Sequence, residues 1–280
     1  MNEYGPEWSA SLRRGSESEL RSWVAAARGW CDEADTIALR DFRRDVAATQ
    51  KPDRSFVTAA DTAIELLVRD RIAATFPGHG VVGEEYGDDS AGASVRWFVD
   101  PIDGTHNYLR GVPVFATLLA VERDGELQAG VISAPALHGR WFAWRGGGAW
   151  ALATNSRDEP ARRLGVSRIS DVGDAQVLYA GTQDIVASGR APGFGRLLAA
   201  AWRERGFGDF WGYTLVAEGA AEAMIEIGLS IWDTAAPAII VEEAGGRVTD
   251  FDGRRALDNG TFLATNGVLH NEILARLTTD

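Results

Sequence analysis

Cysteine is almost missing from this chain. Cys31 is the only one among 280 residues, which excludes internal disulfides and any thiolate-rich metal site and suits a reducing compartment. Cys31 itself reads as a small buried residue on a helix. Long apolar runs are missing too: the longest, Phe115 to Val121, is far short of the roughly 18 residues that cross a bilayer. The first residues include Glu3, Glu7 and Arg13 where a secretion signal is basic and then apolar, so a cytoplasmic protein with no membrane partner is expected. Positive charge is scarce. The balance of 28 Lys and Arg against 40 Asp and Glu gives a net charge of −12 with no basic run, which argues against nucleic acid or anionic lipid as a partner, since both need clustered cations to displace counterions. A phosphorylated substrate would then have to be drawn in by bound cations. There is no internal repeat or low-complexity tract. The four histidines, His79, His106, His138 and His270, are scattered, and only His106 stands beside another candidate residue. The glycine-rich "RGGGAW" at 145–150 has no Lys-Ser/Thr after it and reads as a turn rather than a phosphate loop.

What is present is ordinary globular material, 45% hydrophobic and 24% charged, enough for one large domain or two intimately packed halves. Residues 1–16 are expected as a flexible N-terminal tail. A first helix is predicted from Glu17 to Arg43 with Leu20, Trp23, Val24, Ala27, Ala34 and Ile37 on one face, following the helical period. A second has Thr58 as candidate N-cap, turns Ile64, Leu67, Val68 and Ile72 inward and stops at "FPGHG". Strands are predicted at "VVGEE", "VRWFVD", "FATLLAVE", "LQAGVISA" and "RWFAWRGGGAW", with Asp124-Gly125 as a hairpin turn. After a polar link near "TNSRDEPARR", helices are predicted at "FGRLLAAAWRER", "GYTLVAEGAAE" and "TAAPAIIVEEAGG", and strands at "AQVLYAG", "AMIEI", "RVTDF" and "TFLATN". This is a mixed α/β arrangement of two halves, 17–158 and 159–280.

Acidic residues recur at the ends of these elements. Asp100 and Asp103 follow Val95, Trp97, Phe98 and Val99, a strand that Pro101 is expected to end because it lacks an N–H. Unpaired carboxylates at a buried strand exit are costly, and "DPIDGT" wraps both of them, with the Ile102 carbonyl, around one tight turn. Asp61 in "VTAAD" and Asp233 in "SIWDTAAP" each read alone as helix-capping residues. Glu84 and Glu85 read alone as solvated loop charges.

Taken together, "GEE" at 83–85, "DPIDGT" at 100–105 and "WDTAAPAIIVEEAGG" at 232–246, with "VTAAD" at 57–61 in support, resemble the inositol monophosphatase superfamily of metal-dependent, lithium-sensitive phosphatases. The resemblance runs from about residue 17 onward. Within it, "RGVPVFATLLA", "SAPALHGRWFAWRGGGAW" and "GYTLVAEG" look most like the actinobacterial-type histidinol-phosphatases. It implies an α+β fold, the layered αβαβα sandwich of the inositol monophosphatase and fructose-1,6-bisphosphatase type. It also implies a phosphomonoesterase acting on a small phosphorylated metabolite: histidinol phosphate, in histidine biosynthesis, with inositol 1-phosphate as the alternative. The N-terminal half would carry most metal ligands, and the C-terminal half Asp233 and the substrate contacts.

By the same resemblance, Glu84, Asp100 and the Ile102 carbonyl would hold one Mg²⁺, and Asp100, Asp103 and Asp233 a second. A third, looser ion would sit near Glu84 with Asp61 in its outer shell. These are hard oxygen donors without His or Cys, which selects Mg²⁺ or Mn²⁺ over Zn²⁺. Thr105 with Asp61 would orient or deprotonate a water activated by the ions, so that no phosphoenzyme forms. Gly104 and Thr105 would offer backbone N–H groups to the phosphate. Glu226 has the position that contacts the leaving alcohol, with Asp209 and Glu218 as weaker candidates and Asp103 on the substrate side. His106 and Arg110 are further residues to place. A homodimer is implied. The competing class is a non-catalytic descendant that binds metal or a partner through the same fold.

Overall fold

A computed structural model describes residues 16–44, 47–52, 55–156 and 159–278. Residues 1–15 of the expected tail, and residues 157 and 158 at the expected junction, lie outside the described residues. Two long helices open the structure. The first, α1 (Glu17–Asp41), starts where the Ser16 hydroxyl accepts the Glu19 N–H at 3.2 Å. It stops two residues before Arg43, whose φ of 61° is left-handed. The second, α2 (Ala59–Thr75), starts at Thr58, the predicted cap.

Strand alternation decides which layer each side chain joins. The larger sheet has the order β10 (Arg162–Arg163), β9 (Gly148–Ala153), β8 (Gly139–Trp144), β7 (Glu126–Ala134), β6 (Ala116–Arg123), β5 (Val95–Asp103), β3 (Gly80–Gly83), β4 (Gly87–Asp88). Trp97, Val99, Leu119 and Val121 point to one face and pack with Leu20, Trp23, Ile64 and Val68 of α1 and α2. Their neighbours Phe98, Leu118 and Ala120 point to the other, as a side-chain period of two requires. That second face is covered by α6 (Asp209–Ala217) and α7 (Ile231–Glu243).

The same two helices cover a five-stranded sheet of order β12 (Arg203–Arg205), β11 (Gln176–Tyr179), β13 (Ala223–Ile227), β15 (Thr261–Thr265), β14 (Arg247–Thr249). Leu178, Met224, Phe262 and Ala264 face α6 and α7. Val177, Ile225 and Leu263 face away, onto Phe194 and Leu197 of α5 (Ala191–Ala200) and Ile273 of α8 (His270–Thr278). The result is the expected succession of five layers, αβαβα. Each fully buried Leu, Ile or Phe adds about 1.5–3 kcal/mol over exposure, and α7, which packs on both sheets, makes the two halves share one core.

Local expectations fared unevenly. Asp124 and Gly125 form the turn between β6 and β7 with φ of 50° and 84°, and Cys31 is fully buried on α1. Four readings are corrected. The strand does not end at Pro101 but runs through it to Asp103. "RWFAWRGGGAW" is two strands joined by a glycine turn. The stretch "WRER", expected as helix, leaves α5 after Ala200 and forms β12, because pairing in parallel with β11 satisfies its backbone at the sheet edge. On α2, Leu67 is only half-buried, and Glu65 takes the buried position instead.

Candidate metal and phosphate site

Asp100 and Asp103 are three residues apart, a spacing that on a regular strand points side chains to opposite faces. A bulge removes the conflict. Asp100 pairs with Leu118 and Asp103 with Ala116, so β5 spends one residue more than β6 at Pro101 and Ile102. The missing N–H of Pro101 falls where the ladder is already interrupted, and its carbonyl accepts from the Thr117 hydroxyl at 2.8 Å. Carboxylate oxygens of Asp100, Asp103 and Asp233 then lie within 4.8 Å of one another.

Gly104 follows with φ 80°, and a Cβ there would stand 2.8 Å from the Val114 carbonyl, so the sharp entry into α3 (Thr105–Leu109) requires glycine. The Thr105 hydroxyl donates to the Ile102 carbonyl at 3.0 Å. Asp233 and Asp61 serve two purposes. Each is the third residue of its helix and takes a backbone N–H on one oxygen, Asp233 from Ser230 at 2.7 Å and Asp61 from Thr58 at 2.9 Å. Asp61 is thus the N3 partner of a capping box, as read, whereas Asp233, read as an N-cap, is the N3 partner of Ser230, which is the N-cap; each keeps a second oxygen, and that of Asp61 is buried with no partner.

Glu84 and Glu85 are not solvated loop charges. Lys51, the only lysine in the chain, reaches over from the hairpin of β1 (Ala48–Gln50) and β2 (Phe56–Thr58) and places its Nζ 2.9 Å from Glu84 and 2.7 Å from Glu85. Glu65 fixes the loop from behind. Its fully buried carboxylate accepts the N–H groups of Glu85 and Tyr86 at 2.7 and 3.1 Å and binds Arg69 at 2.9 Å. A Cβ on Gly83 would overlap this carboxylate, which explains the glycine of "GEE". Sequence reasoning missed Lys51 and Glu65, although each left a signal: a solitary lysine, and a glutamate one turn after Asp61 on the inward face of α2.

On the opposite side, the first turn of α6 is tied to the cluster. Phe210 N donates to Asp103 Oδ2 at 2.6 Å, and Asn107 Nδ2 donates to Asp209 Oδ2 at 2.7 Å. Glu226, on β13, is buried and accepts from the Tyr213 hydroxyl at 2.7 Å. His106 is exposed and meets the ring of Phe56 edge-on, and Arg110 is exposed at the end of α3.

Other candidates fall elsewhere. Glu218 binds the Trp141 indole and Arg162. His79 accepts from the Trp97 indole, and His270 is buried between Thr249 and Thr265. At the glycine turn Glu243 accepts the N–H groups of Gly146 and Gly148, and Arg145 and Gly147 donate theirs to the Gln128 and Trp144 carbonyls.

Crowding shows in the proton affinities. Burial, then Glu84, Asp103 and Asp233, pushes Asp100 well above the usual carboxylate range, and burial, then Asp209 and Asp233, does the same to Asp103. Burial raises Asp233 and Asp61 each to about 6 and, with the Asp209 charge, Glu226 to about 8. One oxygen of Asp100 is buried with no hydrogen-bond partner. Hard oxygens held close, repelling and incompletely hydrogen-bonded, fit a divalent cation of the Mg²⁺ type.

Such a fold and site define a class. Residues 19–279 match the inositol monophosphatase family, and the chain belongs to that family of phosphatases. It is 43% identical to a histidinol-phosphatase of Mycobacterium tuberculosis over 88% of this chain and 94% of that one. It is likewise 43% identical to a histidinol-phosphatase of Streptomyces coelicolor, over 88% and 93%. Among solved structures, an inositol monophosphatase of Thermotoga maritima superposes with a TM-score of 0.81 at 27% identity, over 91% of this chain and 96% of that one. Among the described residues no helix is long and apolar enough to cross a membrane.

Proposed function

We propose that this phosphatase is a Mg²⁺-dependent histidinol-phosphatase, releasing histidinol and phosphate in histidine biosynthesis. The observation that carries the metal dependence is the gathering of Asp100, Asp103 and Asp233 by the β5 bulge. Phosphate-monoester hydrolysis calls for accelerations up to ~10²¹, and orientation alone supplies roughly 7–11 kcal/mol, so the remainder falls to charge stabilisation. Glu84, Asp100, Asp103, Asp233 and the Ile102 carbonyl would hold two to three divalent ions, Mg²⁺ or Mn²⁺, which when bound stabilise charge on the attacking and leaving oxygens.

The protein's own groups do the rest. Asp61, held near pKa 6, is matched to accept a proton from the attacking water near neutral pH. Thr105, anchored on the Ile102 carbonyl, orients that water, and the N–H groups of Gly104 and Thr105 receive the phosphate. Asp103, Asp209 and Glu226 face the leaving alcohol. Residues 17–158 supply most ligands and 159–280 supply Asp233 and the alcohol side. We read the enzyme as a cytoplasmic, lithium-sensitive homodimer.

The substrate rests on the 43% identity to two histidinol-phosphatases. The test is kcat/KM on histidinol phosphate and on inositol 1-phosphate at saturating Mg²⁺. A preference for histidinol phosphate is expected; a preference for inositol 1-phosphate overturns the assignment.

A further inference from the structure

A cavity of about 480 Å³ lies where β3, β5 and the β6–β7 turn meet the first turn of α7 and the loop 255–258. Its floor is apolar, formed by Val82, Phe98, Ile231 and Leu257, and its charged lining is Asp88, Arg96, Glu122, Arg255 and Asp258. Three of the floor residues stand two positions before a candidate metal ligand: Val82 before Glu84, Phe98 before Asp100 and Ile231 before Asp233. The fourth is tied in by a hydrogen bond. The Leu257 carbonyl accepts from the Thr234 hydroxyl at 2.7 Å, and Arg255 holds Glu242 further along α7 at 2.6 Å. The loop is therefore fastened to the helix that carries Asp233, and the cavity shares walls with the metal site while containing none of its ligands.

The protein does not use up these charges itself. Arg96 gives Nε and Nη2 to Glu122 at 2.9 and 2.6 Å, with its guanidinium 5.4 Å from the centre of the Phe98 ring. Arg255 gives Nε and Nη2 to Glu242 at 2.6 and 3.2 Å. Neither Nη1 has a partner among the described residues. Asp88 accepts the N–H and hydroxyl of Ser90, whereas Asp258 has no hydrogen bond or ion pair among the described residues. A simple anion would meet Glu122 and Asp258 together with the guanidinium groups, and a simple cation would meet both arginines, so each is repelled as well as attracted. A small molecule carrying both charges on one head satisfies the spare N–H groups and the spare carboxylate, and an apolar side chain on it covers the floor. That is the chemistry of a free α-amino acid with an aliphatic or aromatic side chain.

We propose that this cavity binds a free α-amino acid, its carboxylate on Arg96 and Arg255, its ammonium on Asp258 and its side chain on the apolar floor, and that binding there is linked to the metal site through the Thr234–Leu257 bond. The inference does not depend on which phosphate ester is hydrolysed. A ligand that braces the loop 255–258 holds the first turn of α7, and with it Asp233, in the arrangement a cation needs, so amino acid and Mg²⁺ tighten each other by the same factor. The test is calorimetry of L-phenylalanine and L-leucine into the full-length Mg²⁺-loaded enzyme with inorganic phosphate occupying the catalytic site. Beside them run 3-phenylpropionate and phenethylamine, each of which carries one charge only. L-phenylalanine binds with a Kd of about 1 mM or tighter, and the two single-charge compounds bind about tenfold more weakly or worse. Asp258→Asn and Arg96→Gln each raise the Kd of L-phenylalanine about tenfold or more, with hydrolysis in the absence of amino acid unchanged. Saturating L-phenylalanine lowers the Kd of Mg²⁺ about fivefold. Asp258 is exposed, so its variant keeps the fold and decides the matter should Arg96→Gln lose it. No binding of either amino acid, equal binding of the single-charge compounds, or a Kd untouched by Asp258→Asn overturns the proposal, as does an Mg²⁺ affinity indifferent to the amino acid.

Discussion

Asp100 illustrates how one side chain can oppose folding and serve function. Burial beside Glu84, Asp103 and Asp233 pushes its carboxyl well above the usual range, so that its charged form is costly without a cation. Asp100→Asn needs neither proton nor cation. We therefore expect its metal-free melting temperature to equal or exceed that of the wild type, while kcat drops by about 10²–10³, the cost of removing one group that stabilises transition-state charge. Calorimetry and phosphate release on the same preparation check both halves, and near-normal turnover would remove Asp100 from the site. Thr58 is the contrasting case. Its hydroxyl accepts from Ala60 N at 3.2 Å and donates to Asp61 Oδ2 at 2.5 Å, so Thr58→Ala costs about 1–2 kcal/mol as a lost cap and also releases Asp61 from its orientation. Denaturant unfolding should show that loss, and the pH profile of kcat should shift upward as Asp61 loses the Thr58 hydroxyl bond that lowers its pKa while keeping the bond from the backbone N–H of residue 58.

Among the elements, α2 with the "GEE" loop behind it is the part most open to attack from outside the site. Glu65 touches no candidate ligand oxygen, yet it holds Glu85 N, Tyr86 N and Arg69. Glu65→Ala leaves the N–H groups of Glu85 and Tyr86 without their acceptor, while Arg69 keeps Asp89 and the Gly87 carbonyl, so a stability loss of about 1–3 kcal/mol for each donor left unpaired is expected. Weaker Mg²⁺ binding should accompany it because Glu84 loses its support; unchanged Mg²⁺ affinity in a folded variant would separate loop from site. Elements governed by local rules were legible in the sequence: the caps at Thr58 and Asp61, the Asp124-Gly125 turn, the alternation at Trp97, Phe98 and Val99. Those governed by distant partners were not. Nothing in "WRER" announces that β11 will recruit it as an edge strand, since helix propensity there is good and pairing is tertiary. The bulge at Pro101 and Ile102 was hidden for the same reason, because register with β6 defines it. Acidic ligands could be assembled from three separate motifs only through the family resemblance, and Lys51 escaped because its target lies on another element.

Across the whole molecule, the raised carboxylates tie stability to pH and to metal. Glu226 titrates at about 8 in the folded protein, and Asp61 and Asp233 at about 6, all above the values near 4 of an unfolded chain. Folding thus takes up protons between these limits, so this stability is fully present below about pH 4 and is lost as pH rises through 6 and then 8. His270, held down at about 4 by burial, has the opposite sign, its stability being lost as pH falls from about 6.5 toward 4, and so does not interfere above pH 6.5. Without metal, the melting temperature should fall from pH 6.5 to 8.5, and saturating Mg²⁺ should flatten that slope; equal slopes with and without Mg²⁺ would mean that the cation does not replace the protons. Whether one acidic cluster both binds the cation and supports hydrolysis is decided by titrating Mg²⁺ into metal-free protein at pH 7.5. Melting temperature and histidinol phosphate hydrolysis are then read at every concentration, without substrate and with it. No turnover is expected in chelator, then turnover appearing over the concentration range in which the melting temperature rises, the stabilisation being about 2.7 kcal/mol at a hundredfold excess over Kd. Turnover in chelator, or a melting temperature unmoved by Mg²⁺ concentrations that saturate activity, would contradict a single shared cluster.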